Sequence, residues 1–430
     1  RPVVFIGPFE HHSNILPWKE SHAEVVTIEE DAAGGLDLYD LKKKLKIFSR
    51  RRVKIGSFVA ASNLTGALED VDGITRLLHQ HGALSFWDYA TAAPYMKVDM
   101  NPDAATPLEK ALLAKDAVFM SGHKFLGGAG TPGLLLCKRR LFSNKTPVVP
   151  GGGTVLFVTS DDHAYLSATE EREEGGTPDI LGSIRLGLVF QMKQRLGGAE
   201  QSNVQEREEE LTELGLSTLR PHPQIVLVGD TGRKRLPIFS FLVRHGDRFL
   251  HHNFVCALLN DLFGIQARAG CQCAGPYHMN LLGVDANMVP SLKQQLLDNV
   301  GIIKPGSCRF SLTFFMSDAE ASKILRLIAR QYILDAVMFV ADHGATFLPL
   351  YEANVETAEW THKSLAAGSS TKQGANSMKQ LGGANFGFAD VAPDARPDQG
   401  AEPLCSPDGE PDMFNDVTAD ASRLASETCQ

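Results

Sequence analysis

Short apolar runs without polar alternation recur through the first half of the chain. VVFI (Val3 to Ile6), EVVTI (Glu24 to Ile28), KIGSFVAAS (Lys54 to Ser62), ALSFWD (Ala83 to Asp88), AVFMSG (Ala117 to Gly122) and GLLLC (Gly133 to Cys137) predict strands buried on both faces. Between two of them, VDGITRLLHQHG puts Ile74, Leu77 and Leu78 on one helix face and stops at Gly82. Unalternated strands joined by helices predict an α/β fold, a mainly parallel sheet sandwiched by helices.

The pattern changes near residue 190. LGGAEQSNVQEREEELTELGLSTL reads as a polar, helix-prone connector. QIVLVG, PIFSFLV and CRFSLTFFM then predict strands of a smaller α+β domain, followed by the helical pattern SDAEASKILRLIARQYILDAVMFVADHG. From about Ser364 large apolar residues become rare, which predicts a disordered tail. The division expected is 1–195, 196–350 and a tail over 364–430.

Charge and composition narrow the function. A net charge of −9 argues against a nucleic-acid partner. The basic run Lys42 to Lys54 reads as a solvated helix end and loop. No apolar stretch is expected to reach the roughly 18 residues of a membrane span, because Asp335 and Asp342 interrupt the best candidate. The opening RPVVFIGPFEHH is too short in apolar residues for a signal peptide, and it lacks an initiator Met, so a fragment or processed form is expected. Seven irregularly spaced cysteines point to a reducing compartment, hence the cytoplasm, or an organelle if a leader has been lost.

Candidate chemistry gathers at the predicted strand ends. FMSGHKFLGGAGTPG holds Lys124 just past an apolar strand, beside Ser121, Gly122 and His123 and ahead of a glycine-rich run. The carboxyl ends of strands in such a sheet carry the ligand crevice. A partly desolvated lysine there can attack a carbonyl, which points to an aldehyde cofactor, pyridoxal 5′-phosphate. That cofactor needs a carboxylate at its pyridine nitrogen, a flat group on its ring and donors to its phosphate. Asp88 in FWDYATAAPY, His11 or His12 in EHHSNILPW, and Ser121 with His123 supply these, and Asn63 in SNLTG supplies a polar contact.

In these motifs and their order the chain resembles the class V aminotransferase family of pyridoxal-phosphate enzymes (fold type I), most closely its cysteine desulfurase branch. EHHSNILPW, SNLTG, the aspartate, SGHK and REEGGTP carry the resemblance, over about residues 1 to 345. It implies that Lys124 bonds the cofactor as a Schiff base and moves protons at the substrate α-carbon. It places His11 on the ring, Asp88 at the pyridine nitrogen, Asn63 near the ring hydroxyl and substrate, and Ser121 and His123 at the phosphate. It gives Arg309 in CRFSLTFF to the α-carboxylate of a small amino-acid substrate, a role that suits a bidentate guanidinium. Residues 309, 311 and 313 alternate with Phe310, Leu312 and Phe314, as one face of a strand. Thr177 in EEGGTPDI is similar to the threonine that reaches the phosphate of a neighbouring subunit, which implies a homodimer.

Three departures from the family pattern stand out. Thr91 occupies a position where many desulfurases carry glutamine, and a hydrogen bond from it to the ring hydroxyl is expected. GGGTV (Gly151 to Val155) has no acidic residue or glutamine where desulfurases often have one. The helix that the family places before the EHH strand, whose N-terminus binds the phosphate, is not in this sequence.

RAGCQCAGP (Arg268 to Pro276) holds two thiols, Cys271 and Cys273. On residue type alone they could be metal ligands, packing residues, a redox pair or a nucleophile. No Cys-x-x-Cys or His pair lies nearby to complete a zinc site, and none is expected. The resemblance favours the nucleophile: Arg, small, Gly, two residues, Cys is the desulfurase pattern, with Cys273 on the catalytic position. Molybdenum-cofactor sulfurases carry a similar extra cysteine two residues earlier. Arg268 would favour a thiolate by its charge. The expected reaction is desulfuration of L-cysteine to alanine, leaving a persulfide on Cys273 for a sulfur-acceptor protein. The alternatives are transamination, epimerisation or β-elimination, or a truncated homologue without catalysis. His251 and His252 are expected at the surface, and Cys137, Cys256 and Cys308 in the core.

Overall fold

The computed structural model describes residues 1–197, 202–229, 232–315 and 323–367. The six predicted apolar runs form one sheet. Its strands are β1 (Val3–Ile6), β2 (Glu24–Thr27), β3 (Lys54–Val59), β4 (Leu84–Asp88), β5 (Ala117–Ser121) and β6 (Gly133–Cys137), in the order β2-β1-β3-β4-β5-β6. Every neighbouring pair is parallel except β5 with β6. Parallel neighbours need crossovers, and helices such as Leu38–Ile47 and Val71–Gln80 supply them. Asp37 and Asp70 cap these helices by accepting from backbone N–H groups in their first turns. Ile74 and Leu78 face inward as predicted and join Val3, Phe5, Phe58 and Trp87 in the core, while Gly82 takes φ +64 where the chain turns.

The strand order places the site. Chain entering at β1 runs outward to β2, then crosses back to β3 on the other side. In such sheets the crevice at the strands' carboxyl ends, where the order reverses, is the natural ligand position. The loops after β1 and β3 flank that crevice.

Beyond a small hairpin of β7 (Val155–Val158) and β8 (His163–Tyr165) lie two long helices, Ile180–Gly197 and Ser202–Leu219. The second forms within the predicted polar connector. A smaller antiparallel sheet follows, from β9 (Ile225–Leu227), β10 (Ile238–His245), β11 (Arg248–Phe249), β12 (Arg268–Gly270) and β13 (Ser307–Ser311). Helix His252–Phe263 covers it with Phe254, Val255, Leu258 and Leu259, and Gly264 ends that helix in the left-handed conformation. The chain is thus an α/β unit followed by a smaller α+β region.

Three sequence expectations change here. The stretch Arg330–Leu350 is long and apolar enough, by length and composition, to cross a membrane, contrary to the reading that Asp335 and Asp342 break it. Its Leu334, Val337, Val340 and Phe347 pack in the core of the smaller sheet. His252 is buried and stacks on His251 at 4.3 Å between ring centroids, so it is no surface residue. The expected tail falls outside the described residues except for 364–367, which belong to the short helix Lys363–Ala367.

Candidate active site

The carboxyl ends of β1, β3, β4 and β5 each deliver a polar side chain to one crevice. Asp88 ends β4 and is 7% exposed; one of its carboxylate oxygens accepts from the Ala90 N–H at 2.8 Å. Burial raises its pKa, and the charge of Lys124 opposes that rise. Lys124 closes a single 3-10 turn, Gly122–Lys124, directly after β5. The turn is tight: a Cβ on Gly122 would lie 2.6 Å from Thr131 Oγ1, and one on Gly128 would lie 2.1 Å from the Gly122 carbonyl. The side chain of Lys124 opens to solvent, yet enough protein surrounds its ammonium to lower its pKa. Burial is the main cause; Arg309 and Arg268 add to the shift, while Asp88 and Cys273 oppose it.

The smaller sheet contributes the opposite wall. Arg268 on β12 and Arg309 on β13 stand directly across from each other in the antiparallel pair. Arg309 is half-buried, and burial first, then Arg268, brings its pKa down to about 10. Its Nη1 donates to the carbonyl of Asn63 at 2.5 Å. Arg268 Nη2 lies 3.6 Å from Cys273 Sγ. Gln272 and Cys273 both take φ +57, two successive side-chain-bearing residues in the left-handed region. Such backbone costs of order 1 kcal/mol or more per residue and persists only where surroundings hold it. Here the His12 N–H donates to the Cys273 carbonyl at 2.8 Å, and the Gly275 N–H donates to His12 Nε2 at 2.9 Å. The Gln272 amide donates to the carbonyls of Arg268 and Ser307, both at 3.2 Å, and Asn63 Nδ2 donates to the Gln272 carbonyl at 2.7 Å.

His11 is half-buried, with Nδ1 accepting from the Ser13 N–H at 3.1 Å. Burial lowers its pKa, and the charges of Lys124, His12, Arg268 and Arg309 lower it further. His12 is committed to the Cys273 turn, which leaves His11 as the imidazole beside Lys124. The structure therefore brings Lys124, Asp88, His11, Asn63, Arg268, Arg309 and Cys273 to one crevice. Ser121 and Thr91 are half-buried at the ends of β5 and after β4, and His123 is exposed next to Lys124. Thr177 is exposed before helix Ile180–Gly197 and joins none of these contacts.

Three participants were not singled out from the sequence: His12 as a holder of the turn, Gln272, and Glu10. The Glu10 carboxylate is 1% exposed and accepts from the Gly7 and Val59 N–H groups, both at 3.2 Å, and from Asn14 Nδ2 at 2.6 Å. Burial, with the Asp88 charge adding, pushes its pKa up to about 8 against those three donors. The available signal was a lone carboxylate in the loop four residues past a buried strand.

The donor set fits an aldehyde-bearing pyridine cofactor. Asn63 Oδ1 is buried without a hydrogen-bond partner, so it can accept from a bound group. Asp88, an acid made costly by burial, is suited to a cationic partner. Lys124, with a lowered pKa and the charge of Asp88 acting on it, can serve as the amine.

Residues 3–324 match the family described as Aminotransferase class-V. The chain belongs to the class-V aminotransferase family. A probable cysteine desulfurase of Halalkalibacterium halodurans is 30% identical over 277 residues, covering 64% of this chain and 62% of that protein. The chain spans less than two thirds of the curated relatives it matches. Among solved structures, the apo cysteine desulfurase of Thermococcus onnurineus NA1 is 26% identical with a TM-score of 0.57, over 78% of this chain and 72% of that one. The Escherichia coli cysteine desulfurase CsdA, in an S-sulfonic acid form, shares the fold at TM-score 0.57 and 23% identity, over 81% and 73%. The family is one associated with pyridoxal phosphate, and these relatives lie on its cysteine desulfurase branch.

Proposed function

We propose that the chain is a pyridoxal-phosphate-dependent cysteine desulfurase. The observation that carries the reading is the Cys273 turn: a thiol held in left-handed backbone, with Arg268 at its sulfur, on the wall facing Lys124. Pyridoxal phosphate, when bound, supplies an electron sink for the substrate α-carbon. Asp88 would hold the proton at the pyridine nitrogen, and His11 would lie on the ring. Asn63 would accept through Oδ1 near the ring hydroxyl and substrate, with Thr91 beside it. Ser121 and His123 would donate to the phosphate. Arg309 would grip the substrate carboxylate. Lys124 Nζ would bond the cofactor's aldehyde carbon and later move the α-proton. Cys273 Sγ would attack the substrate sulfur as the carbon–sulfur bond breaks. In sum, one cysteine and the Cys273 thiol become alanine and a Cys273 persulfide, which a sulfur-acceptor protein would then take.

A homodimer belongs to the same proposal. Thr177 would reach the phosphate of a second copy, and exposed Ile180, Leu181, Ile184 and Leu188 on the following helix suit such a contact.

The test is reconstitution with pyridoxal phosphate, followed by borohydride trapping and peptide mapping, and then assay of sulfide release from L-cysteine. Label on the Lys124 peptide, with sulfide release lost in Cys273→Ala but the visible absorbance kept, supports the reading. Full activity in Cys273→Ala overturns it, and loss in Cys271→Ala alone moves the nucleophile to Cys271. A visible band without sulfur release points to transamination, epimerisation or β-elimination, and no band points to a homologue without catalysis.

A further inference from the structure

Away from the crevice, the packing of helix His252–Phe263 on the smaller sheet brings two further thiols together. Cys256 on the helix and Cys308 on β13 approach to 3.2 Å between sulfurs, and both are free. We propose that Cys256 and Cys308 form a reversible disulfide, an oxidant-sensitive modification site directly beneath the substrate arginine.

The two thiols are placed for different roles. Cys308 is 1% exposed, so an oxidant in solvent cannot meet it first. Cys256 is half-buried and lines a surface cavity of about 410 Å³, together with Asn253, Asn260, Asp261, Trp360 and Thr361. A peroxide enters there. Burial, with Cys256 adding, pushes the Cys308 thiol well above its ordinary range, so Cys308 waits as a protonated partner.

The chemistry balances with hydrogen peroxide as oxidant. The Cys256 thiolate attacks one peroxide oxygen, the O–O bond breaks, and hydroxide leaves, giving a sulfenic acid. Cys308 sulfur then attacks the Cys256 sulfur, the S–O bond breaks, and water leaves with the Cys308 proton. Two thiols lose two electrons in all, and peroxide is reduced to two waters. Closing 3.2 Å to the ~2.05 Å of a disulfide asks for a movement of roughly 1 Å.

That movement is delivered at a sensitive place. Cys308 immediately precedes Arg309 and pairs across the strands with Ala269, the neighbour of Arg268. Drawing β13 toward the helix shifts the strand pair that carries both guanidiniums. A displacement of about 1 Å in a positioning group can cost a large factor in binding or rate. The effect on substrate rests on the function proposed above; the bond itself does not.

The experiment separates the two. Full-length protein is treated with hydrogen peroxide, its remaining thiols are blocked with N-ethylmaleimide, and its peptides are mapped. The expected result is a dithiothreitol-reversible link between the Cys256 and Cys308 peptides, absent in Cys256→Ser. Both thiols alkylated while the other cysteines are oxidised overturns the proposal. In cofactor-loaded protein, L-alanine affinity is read by spectral titration, which requires no thiol. Oxidation is expected to weaken it on the order of tenfold in the parent and not in Cys256→Ser. A linked but unweakened protein overturns the coupling to Arg309, whatever the fate of the desulfurase reading.

Discussion

Arg309 reaches out of β13 to donate Nη1 to the backbone carbonyl of Asn63, 2.5 Å away in the loop after β3. The guanidinium is fixed by one sheet while it belongs to the other, so its planar fork is aimed before any substrate arrives. Lysine would keep the charge and lose the fork. Arg309→Lys is expected to raise KM for the amino-acid substrate about 10- to 100-fold, the worth of a charge-assisted hydrogen bond, with a smaller change in kcat. Steady-state kinetics of the reconstituted protein check this.

His12 holds the Cys273 turn from two sides, accepting from Gly275 and donating from its backbone to Cys273. His12→Ala removes only the first contact. It is expected to lower kcat/KM for sulfur release about tenfold, through roughly 1–3 kcal/mol of lost positioning, while the cofactor absorbance stays. An unchanged kcat/KM would show that the turn stands without the imidazole.

Glu10 satisfies three N–H groups inside the α/β core. Glu10→Ala leaves the Gly7 and Val59 N–H groups buried and unpaired, while Asn14 Nδ2 keeps its bond to the Ser57 carbonyl at 3.2 Å. A loss of about 3 kcal/mol is expected, read as a lowered urea midpoint at constant slope.

Burial holds the carboxyls of Glu10, Glu69 and Glu208 up to about 8, 7 and 8, from an ordinary 4.5. The folded state thus binds these protons more tightly than the unfolded chain does. Their stabilisation is whole below about pH 4.5 and is lost as pH rises through about 7 to 8. Lys193, brought by burial from 10.5 to about 8, acts with the opposite sign, but only above that window. The buried His252, lowered by burial from 6.5 to about 3, also acts with the opposite sign but only below about pH 6.5, so the urea midpoint is expected to fall between about pH 6.5 and about pH 8. Glu208→Gln, which can still accept from the Phe314 N–H, is expected to flatten that fall.

Gly306 packs against the backbone of Gly270, where a Cβ would lie 2.6 Å from the Gly270 Cα. Backbone yields less readily than a side-chain tip. Gly306→Ala is therefore expected to cost roughly 1–3 kcal/mol and to displace the end of β12, which leads into Cys273. Activity should fall further than the urea midpoint would explain.

The residues legible from the sequence were those whose position follows from strand ends. Asp88, Lys124 and Asn63 follow apolar runs, and parallel strands bring such ends to one edge whatever the loop lengths. Arg309 and Cys273 were reached by motif, and their convergence on Lys124 depends on how the second sheet docks, which no local pattern encodes. Glu10 and His12 were hidden for another reason. Their partners lie far along the chain, Val59 for one and Gly275 for the other, and polar residues in a loop look solvated until the partner is known. His252 was misjudged similarly: its burial comes from tertiary packing around it, not from the polarity of its neighbours. The span Arg330–Leu350 shows the converse, since its two aspartates do not prevent its apolar residues from filling a core.

Asn63 is bonded on two sides, its amide to the Gln272 carbonyl and its own carbonyl to Arg309. A single loop thereby gauges both the turn that presents the thiol and the strand that presents the guanidinium. Errors in the two placements become correlated: a fluctuation that shifts this loop moves both partners together and preserves the spacing between them. The quantity protected is a distance between two groups, not the location of either.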